Sequence, residues 1–478
     1  MNYSIIRYVL GTVLKFESLF LCLPFAVALI YRDKCAWAFL TAILVSFAIG
    51  WLLSFKKPKS YVFYAVEGYI CVSLCWIVLS LFGALPFWLS GEIPSFVDAL
   101  FETISGFTTT GASILSNVEG LSHGCLFWRS FTHWIGGMGV LVFILAVFPM
   151  SGGTSMFLMK AESPGPSVEK LVPRVKTTAF ILYAVYTVMT LVEILLLFVT
   201  GMPFFDAVTL SLGTAGTGGF GIKNDSIASY APHLQVIITV FMILFGVNFN
   251  AYYLMLRGKL KTAFTEEVKV YLGIILCSGL AIAWNIRHIF PDPAEALRHA
   301  FFQVGSVITT TGYSTADFDL WPAFSTTILV TIMFIGACAG STGGGIKVSR
   351  VVILIKSVVR ELFTVKHPRG VRTVKLDGHV VDKDTVRSVH VFISSYVLIY
   401  MMSLLVVSLD NFDFTTNFTA IVATLNNIGP GLAKVGPAAN FGLFSDVSKI
   451  VLMLDMLIGR LELMPMLVLF APVTWKRQ

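Results

Sequence analysis

Charge is scarce in this chain. Of its 478 residues, 13% are Asp, Glu, Lys or Arg, about half the share usual in a soluble domain. That shortage excludes an ordinary water-soluble enzyme. It also removes the net charge of +7 as an argument for nucleic acid, and no nucleic-acid partner is expected. Cysteine is sparse as well. There are seven, mostly inside apolar runs, with no CxxC pair, and Cys71 and Cys75 lie four apart on a helical pattern. They read as small packing residues. The eight His show no metal spacing, and His133, next to Trp134, reads as a residue of a helix bundle. Catalytic signatures are missing: no HExxH, no GxSxG and no paired acids within apolar runs. An enzyme is not expected, and a membrane-embedded one is the remote alternative. The N-terminal stretch "MNYSIIRYVLGTVLKFESLFLCLPF" lacks a small-residue cleavage site and reads as a retained helix.

Hydrophobic residues make up 56% of the chain. They gather in runs of about 20, enough to cross a bilayer of about 30 Å. Spans are expected over about 8–30, 36–55, 62–90, 123–149, 178–201, 233–256, 268–288, 322–362 (broken), 389–410 and 446–472. Shorter apolar pieces over 95–107, 202–213, 294–308 and 413–426 are too short to cross and read as re-entrant. Basic residues test this arrangement. Lys56, Lys57 and Lys59 follow the second span. Lys160, Lys170, Arg174 and Lys176 lie in the 150–177 linker, Arg257, Lys259, Lys261 and Lys269 in the next, and Lys476 and Arg477 near the end. The 350–388 stretch holds nine Lys/Arg against four acids. All fall on one side of the membrane only if each short piece dips in and returns.

An internal repeat runs through the chain. "DALFETISGFTTTGAS" (98–113) aligns without a gap to "HAFFQVGSVITTTGYS" (299–314), so Thr108–Gly111 meets Thr309–Gly312. "DAVTLSLGTAGTGGFG" (206–221) is a relative, read with Thr217-Gly218 in the Thr-Gly position. "TAIVATLNNIGPG" (419–431) is weaker and retains Gly429. Each unit reads span, short helix, loop, span. Non-helical backbone at membrane depth must be buried in protein or line water. Four such loops around one axis would present a ring of carbonyls able to replace a cation's water shell. The short helices would aim their negative C-terminal ends at the centre, with Asp98 and Asp206 near the opposite pole.

"GFTTTGAS", "VITTTGYS", "AGSTGGGIKVSR" and "LIGRLE" together resemble the Trk/Ktr/HKT superfamily of potassium transporters, over nearly the whole chain. The two spans before the first repeat favour the Trk branch over the shorter Ktr branch. The resemblance implies an all-α polytopic membrane protein. Four pore repeats would surround one pore in pseudo-fourfold arrangement, after two N-terminal transmembrane helices. The expected units are a helix pair (1–60), pore repeats 1 (61–177), 2 (178–266) and 3 (267–362), a cytosolic loop (363–388) and pore repeat 4 (389–478). It also implies a homodimer in a bacterial inner membrane with both termini cytosolic, and a cytosolic nucleotide-binding regulatory subunit (TrkA-like). Potassium is the transported ion, with no organic cofactor in this chain. The family's ion sites carry over to Thr109, Thr110 and Gly111; Gly216, Thr217 and Gly218; Thr310, Thr311 and Gly312; and Asn427, Ile428 and Gly429. In related plant transporters a Gly in the first loop goes with potassium permeation, so Gly111 leans toward potassium. The fourth loop, "NNIGPG", departs most from the pattern and leaves open a sodium-coupled or weakly selective cation transporter.

One break in the helical pattern needs a cause. "AGSTGGGIK" interrupts an apolar run with glycines, among the poorest helix formers. The favoured reading is an intramembrane gate under the filter, built from Gly340, Ser341, Thr342, Gly343, Gly344, Gly345 and Lys347. A packing kink and a phosphate-cradling loop are the alternatives, although the GxxxxGK[ST] spacing is absent. Arg460 sits mid-span, where a charge is costly. It reads as an electrostatic barrier below the filter, or as an ion-pair partner of Asp455 or Glu462. "TVKLDGHVVD" reads as a hairpin turning at Asp377-Gly378, either docking a regulator or simply solvated.

Overall fold

The structure, a computed structural model, describes residues 2–58, 65–139, 175–370 and 372–475. The expected continuation of a span from 140 to 149 lies outside those residues, as do Lys59, Lys160, Lys170, Arg174, Lys476 and Arg477. Among the described residues, six helices are long and apolar enough to cross a bilayer, and a bent pair can make a seventh. Apart from a two-stranded hairpin, the elements are helical. The chain is an all-α polytopic membrane protein.

Helices Tyr3–Tyr31 and Ala36–Ser54 pack as a pair. Gly11 and Gly50 face each other where they cross, each too close to the other's backbone to admit a side chain. Four hairpins follow. The first runs from Ala65–Gly83 through Leu85–Leu89 and the short helix Phe96–Phe107 to His123–Met138. The second comprises Val175–Val199, Phe204–Gly216 and Pro232–Phe245 with Phe249–Leu256. The third comprises Glu266–Ile286, Pro293–Ile308, Ala323–Ile335 and Val348–Lys366. The fourth comprises Lys383–Val407, Phe414–Leu425, Asp446–Arg460 and Met464–Phe470. Three of the four short helices begin on a side-chain cap: Ser95 accepts from Asp98 N, Asp292 from Ala294 N and Asp413 from Thr416 N. Each cap fixes where the chain turns inward.

The sequence reading expects one broken span. The structure breaks the second, third and fourth returning helices, and the described part of the first ends at Met138. Expected as continuous, 233–256 bends by 91° between Phe245 and Phe249. Asn248 restarts that helix by accepting from Asn250 N at 2.9 Å. The span 446–472, also expected as continuous, stops at Arg460 and resumes at Met464. Glu462 and Leu463 there take φ of 56° and 65°. In the first and fourth hairpins Gly136 packs on Phe107 O and Gly459 on Leu425 O, so these two returning helices pass close beneath a short helix's C-terminus.

Candidate functional site: a four-hairpin ring and the loop beneath it

Each short helix ends in the same way. Thr109, Thr217, Thr310 and Asn427 adopt φ of 55°, 53°, 60° and 56°. Their amides bond back to Gly106, Thr214, Val307 and Thr424 carbonyls. The next amides, of Thr110, Gly218, Thr311 and Ile428, reach Ser105, Gly213, Ser306 and Ala423. This is the double-bonded left-handed helix stop that usually takes Gly at its turn. Here Thr and Asn hold it four times, so four backbones leave their helices in one geometry.

The following residue closes a ring. Gly111, Gly219, Gly312 and Gly429 all have positive φ. A Cβ on Gly111 would overlap Gly218 O of the second hairpin, one on Gly219 would overlap Thr311 O of the third, and one on Gly312 would overlap Ile428 O of the fourth. A Cβ on Gly429 would come within 2.8 Å of Thr110 O of the first. The hairpins therefore interlock in cyclic order around a shared axis. A cavity of about 130 Å³ above them is lined by all four of these glycines, room for several waters.

The ring corrects one register. In the second hairpin the sequence reading takes Gly216, Thr217 and Gly218. The structure puts Thr217, Gly218 and Gly219 at the positions held elsewhere by Thr109–Gly111, Thr310–Gly312 and Asn427–Gly429. Gly216 is the last residue of its helix. A gapless alignment of Asp206 with Asp98 already sets Gly219 under Gly111. The other nine ring residues fall where the alignment expects. The structure also explains why Gly218 stands where other hairpins carry Thr or Ile: the His133 imidazole fills that space. His133 is a buried bundle residue, bonded through Nδ1 to Gly106 O at 2.8 Å and accepting from Phe220 N at Nε2 at 3.3 Å.

A buried ion pair behind the ring escapes the sequence reading. Arg129 and Glu102 meet at 2.8 Å, with side chains 2% and 0% exposed. Arg129 also donates to Gly221 O and lies 4.0 Å over the Phe220 ring. Glu102 accepts from Ile114 N and Ser113 Oγ, so the pair ties the first ring loop to the second. Charged residues inside otherwise apolar elements were the available signal. Glu102→Ala leaves a buried guanidinium without its carboxylate. It is expected to cost about 3–5 kcal/mol, measurable as a lower melting temperature in detergent.

Beneath the ring lies the glycine-rich segment. It leaves its helix at Gly336 and rejoins at Val348, with Lys347 N bonded to Ile335 O and Val348 N to Ala337 O. Gly344 N donates to Thr310 Oγ1 at 2.6 Å, and Gly343 packs against Thr309 O. Thr342 Oγ1 reaches Phe245 O at 3.3 Å, Gly340 O accepts from Phe249 N, and Ser341 Oγ donates to Cys338 O. Gly345 packs back onto Gly336, and Lys347 Nζ donates to Gly343 O. Glu267 holds both ends: its Oε1 accepts from Ala339 N at 2.8 Å and Ser349 N at 3.0 Å. The segment is packed and bonded along its length.

Arg460 crosses the same space. It donates to Thr109 Oγ1 (3.2 Å), Thr342 O (2.9 Å), Gly136 O (2.6 Å) and Gly137 O (2.7 Å). One side chain thus joins the first ring loop, the first returning helix and the glycine-rich segment. The two acids offered as its ion-pair partners also make contacts elsewhere. Glu462 pairs with Arg350 at 2.5 Å, and Asp455 accepts from Ser403 at 2.7 Å. The hairpin around Asp377-Gly378 forms, with strands Lys375–Leu376 and His379–Val380, and it docks on Glu266 and Lys356.

Known proteins share this architecture. The TrkH family profile, described as "Cation transport protein", matches residues 36–276 and 285–476. The chain is 37% identical over 488 residues to the "Trk system potassium uptake protein TrkH" of Salmonella typhimurium, covering 100% of both. It is 33% identical over 484 residues to the protein of that name from Halomonas elongata, again covering 100% of both. Among solved structures it is similar to the potassium transporter TrkH from Vibrio parahaemolyticus, with a TM-score of 0.89, 32% identity and 100% of both chains covered.

Proposed function

The chain belongs to the TrkH cation transport family, and from that premise we propose that it takes up potassium through the interlocked ring. The observation that carries this reading is the cyclic contact of four glycines with four neighbouring carbonyls. In the corrected register, carbonyls of Thr109 and Thr110, Thr217 and Gly218, Thr310 and Thr311, and Asn427 and Ile428 replace the ion's water shell. Backbone oxygen does the binding, so Ile428 and Gly218 serve as well as Thr. Negative ends of four short helices add to the attraction for a cation. The relatives are named as potassium uptake proteins, which supports a transport role.

In this reading the Gly336–Lys347 segment and Arg460 form the gate. The segment spans the axis below the ring, and Arg460 adds positive charge where a cation would pass. Helix Val348–Lys366 continues from the segment and carries Arg350, which grips Glu462 beside Arg460. A cytosolic nucleotide-binding subunit pulling on that helix or on the 375–380 hairpin would move both parts together. The protein acts as a homodimer in a bacterial inner membrane, with its termini and basic loops in the cytosol.

Growth rescue of potassium-uptake-deficient bacteria at low external potassium tests the function. Flux through the reconstituted chain, comparing potassium, rubidium, sodium and lithium with and without the regulatory subunit, tests selectivity. Equal sodium and potassium flux would instead favour the weakly selective reading. Glu267→Ala frees both ends of the segment and is expected to raise regulator-independent rubidium flux several-fold, read in the same liposomes.

A further inference from the structure

Three residues far apart in the chain meet away from the pore axis. Cys35 caps helix Ala36–Ser54, Glu92 lies in the turn after Leu85–Leu89, and Cys125 sits in the first turn of His123–Met138. Their two sulfurs and a carboxylate oxygen all lie within 4.8 Å of one another. Both cysteines are buried, at 2% and 0% exposure, while Glu92 is half-buried and opens the cluster on one side. The cysteines are free thiols.

Ser122 organises all three. Its Oγ donates to Cys35 Sγ at 3.0 Å and accepts from Cys125 N at 3.5 Å, and its N–H donates to Glu92 Oε2 at 3.1 Å. Such outer bonds orient metal ligands and set their protonation. Asp33 stands close by, accepting from Gly124 N and facing His123 at 3.8 Å. We propose that Cys35, Glu92 and Cys125 form a site for a thiophilic divalent cation, clamping the N-terminal helix pair to the first pore hairpin. Two thiolates and one carboxylate suit Zn²⁺ and exclude the hard, oxygen-seeking Ca²⁺ and Mg²⁺ as well as the transported potassium. The open side beside Glu92 provides entry and a fourth position for water. Binding releases the thiol protons and draws together three segments far apart in the chain.

The test uses the full chain in lipid nanodiscs, reduced and stripped of metal with chelator. Added Zn²⁺ is expected to remain at one per protomer after desalting, measured by elemental mass spectrometry. Co²⁺ in the unsubstituted chain is expected to give thiolate-to-cobalt charge-transfer absorption, which Zn²⁺ then abolishes; this arm needs no variant. Cys35→Ser and Cys125→Ser are each expected to weaken Zn²⁺ binding at least about tenfold, and Glu92→Gln to weaken it less. Absence of the cobalt band, zinc retention unchanged in both cysteine variants, or a Cys35–Cys125 disulfide in the protein as isolated from membranes would overturn the proposal.

Discussion

Arg460→Ala should raise potassium flux about tenfold in liposomes at equal protein content. Two effects add. Loss of the guanidinium frees Thr342 O, Gly136 O and Gly137 O from a shared donor and unties the glycine-rich segment from the first ring loop. It also removes a positive charge below the ring. At an effective dielectric constant of about 20, a unit charge about 6 Å from a passing cation opposes it by about 3 kcal/mol. That sets an upper limit of about a hundredfold, and the segment still in place lowers the expectation to tenfold. Arg460→Lys retains the charge but loses the multiple bonds. It should stay near the unsubstituted rate if electrostatics dominates, and approach the alanine variant if tethering does. Unchanged flux in Arg460→Ala with normal membrane insertion would remove this residue from the gate.

The second large effect concerns neighbouring glycines. Gly219→Ala should abolish potassium uptake, because the new methyl group overlaps Thr311 O and the residue holds φ of 76°. Gly221→Ala, two residues on, should be tolerated, since its nearest neighbour there is Ser226 Cα at 3.3 Å. Gly218→Ala should also fail, but for a removable reason. Its backbone angle is ordinary, and the equivalent positions carry Thr110, Thr311 and Ile428. The three atoms nearest the methyl group all belong to the His133 ring. A Gly218→Ala, His133→Ala double variant should therefore recover part of the uptake lost in Gly218→Ala, whereas adding His133→Ala to Gly219→Ala should recover none. Rubidium uptake in potassium-deficient cells reads all five variants. Equal rescue at both positions would sink the corrected register.

Much of this architecture is legible in the amino-acid sequence. Long apolar runs mark the spans because the bilayer admits few alternatives. The re-entrant pieces show through length, and the glycine-rich interruption through helix propensity. Other features depend on forces that act across hundreds of residues. Helix propensity reads 233–256 as unbroken, since Gly246 and Asn248 are modest offenders. The bend arises because Gly246 O accepts from Cys338 N and Gly340 O accepts from Phe249 N in the third hairpin. The stop at Arg460 likewise follows from Gly459 packed on Leu425 O. Register in the second loop turns on which of two adjacent glycines takes positive φ: the Thr-Gly pair points to Gly218, whereas the gapless alignment of Asp206 with Asp98 selects Gly219. The Cys35–Cys125 meeting has no local signature, because no short spacing links the two residues.

The bond from Gly344 N to Thr310 Oγ1 makes the glycine-rich segment, the proposed floor, a hydrogen-bond partner of the ring itself. Displacing that segment alters a residue whose peptide oxygen, in the proposed function, helps hold the ion. Thermodynamic reciprocity then applies: whatever factor an occupied ring imposes on the floor's equilibrium, the displaced floor imposes on ion affinity. If potassium is the occupant, as proposed, any such factor makes it an effector of its own entry as well as the cargo.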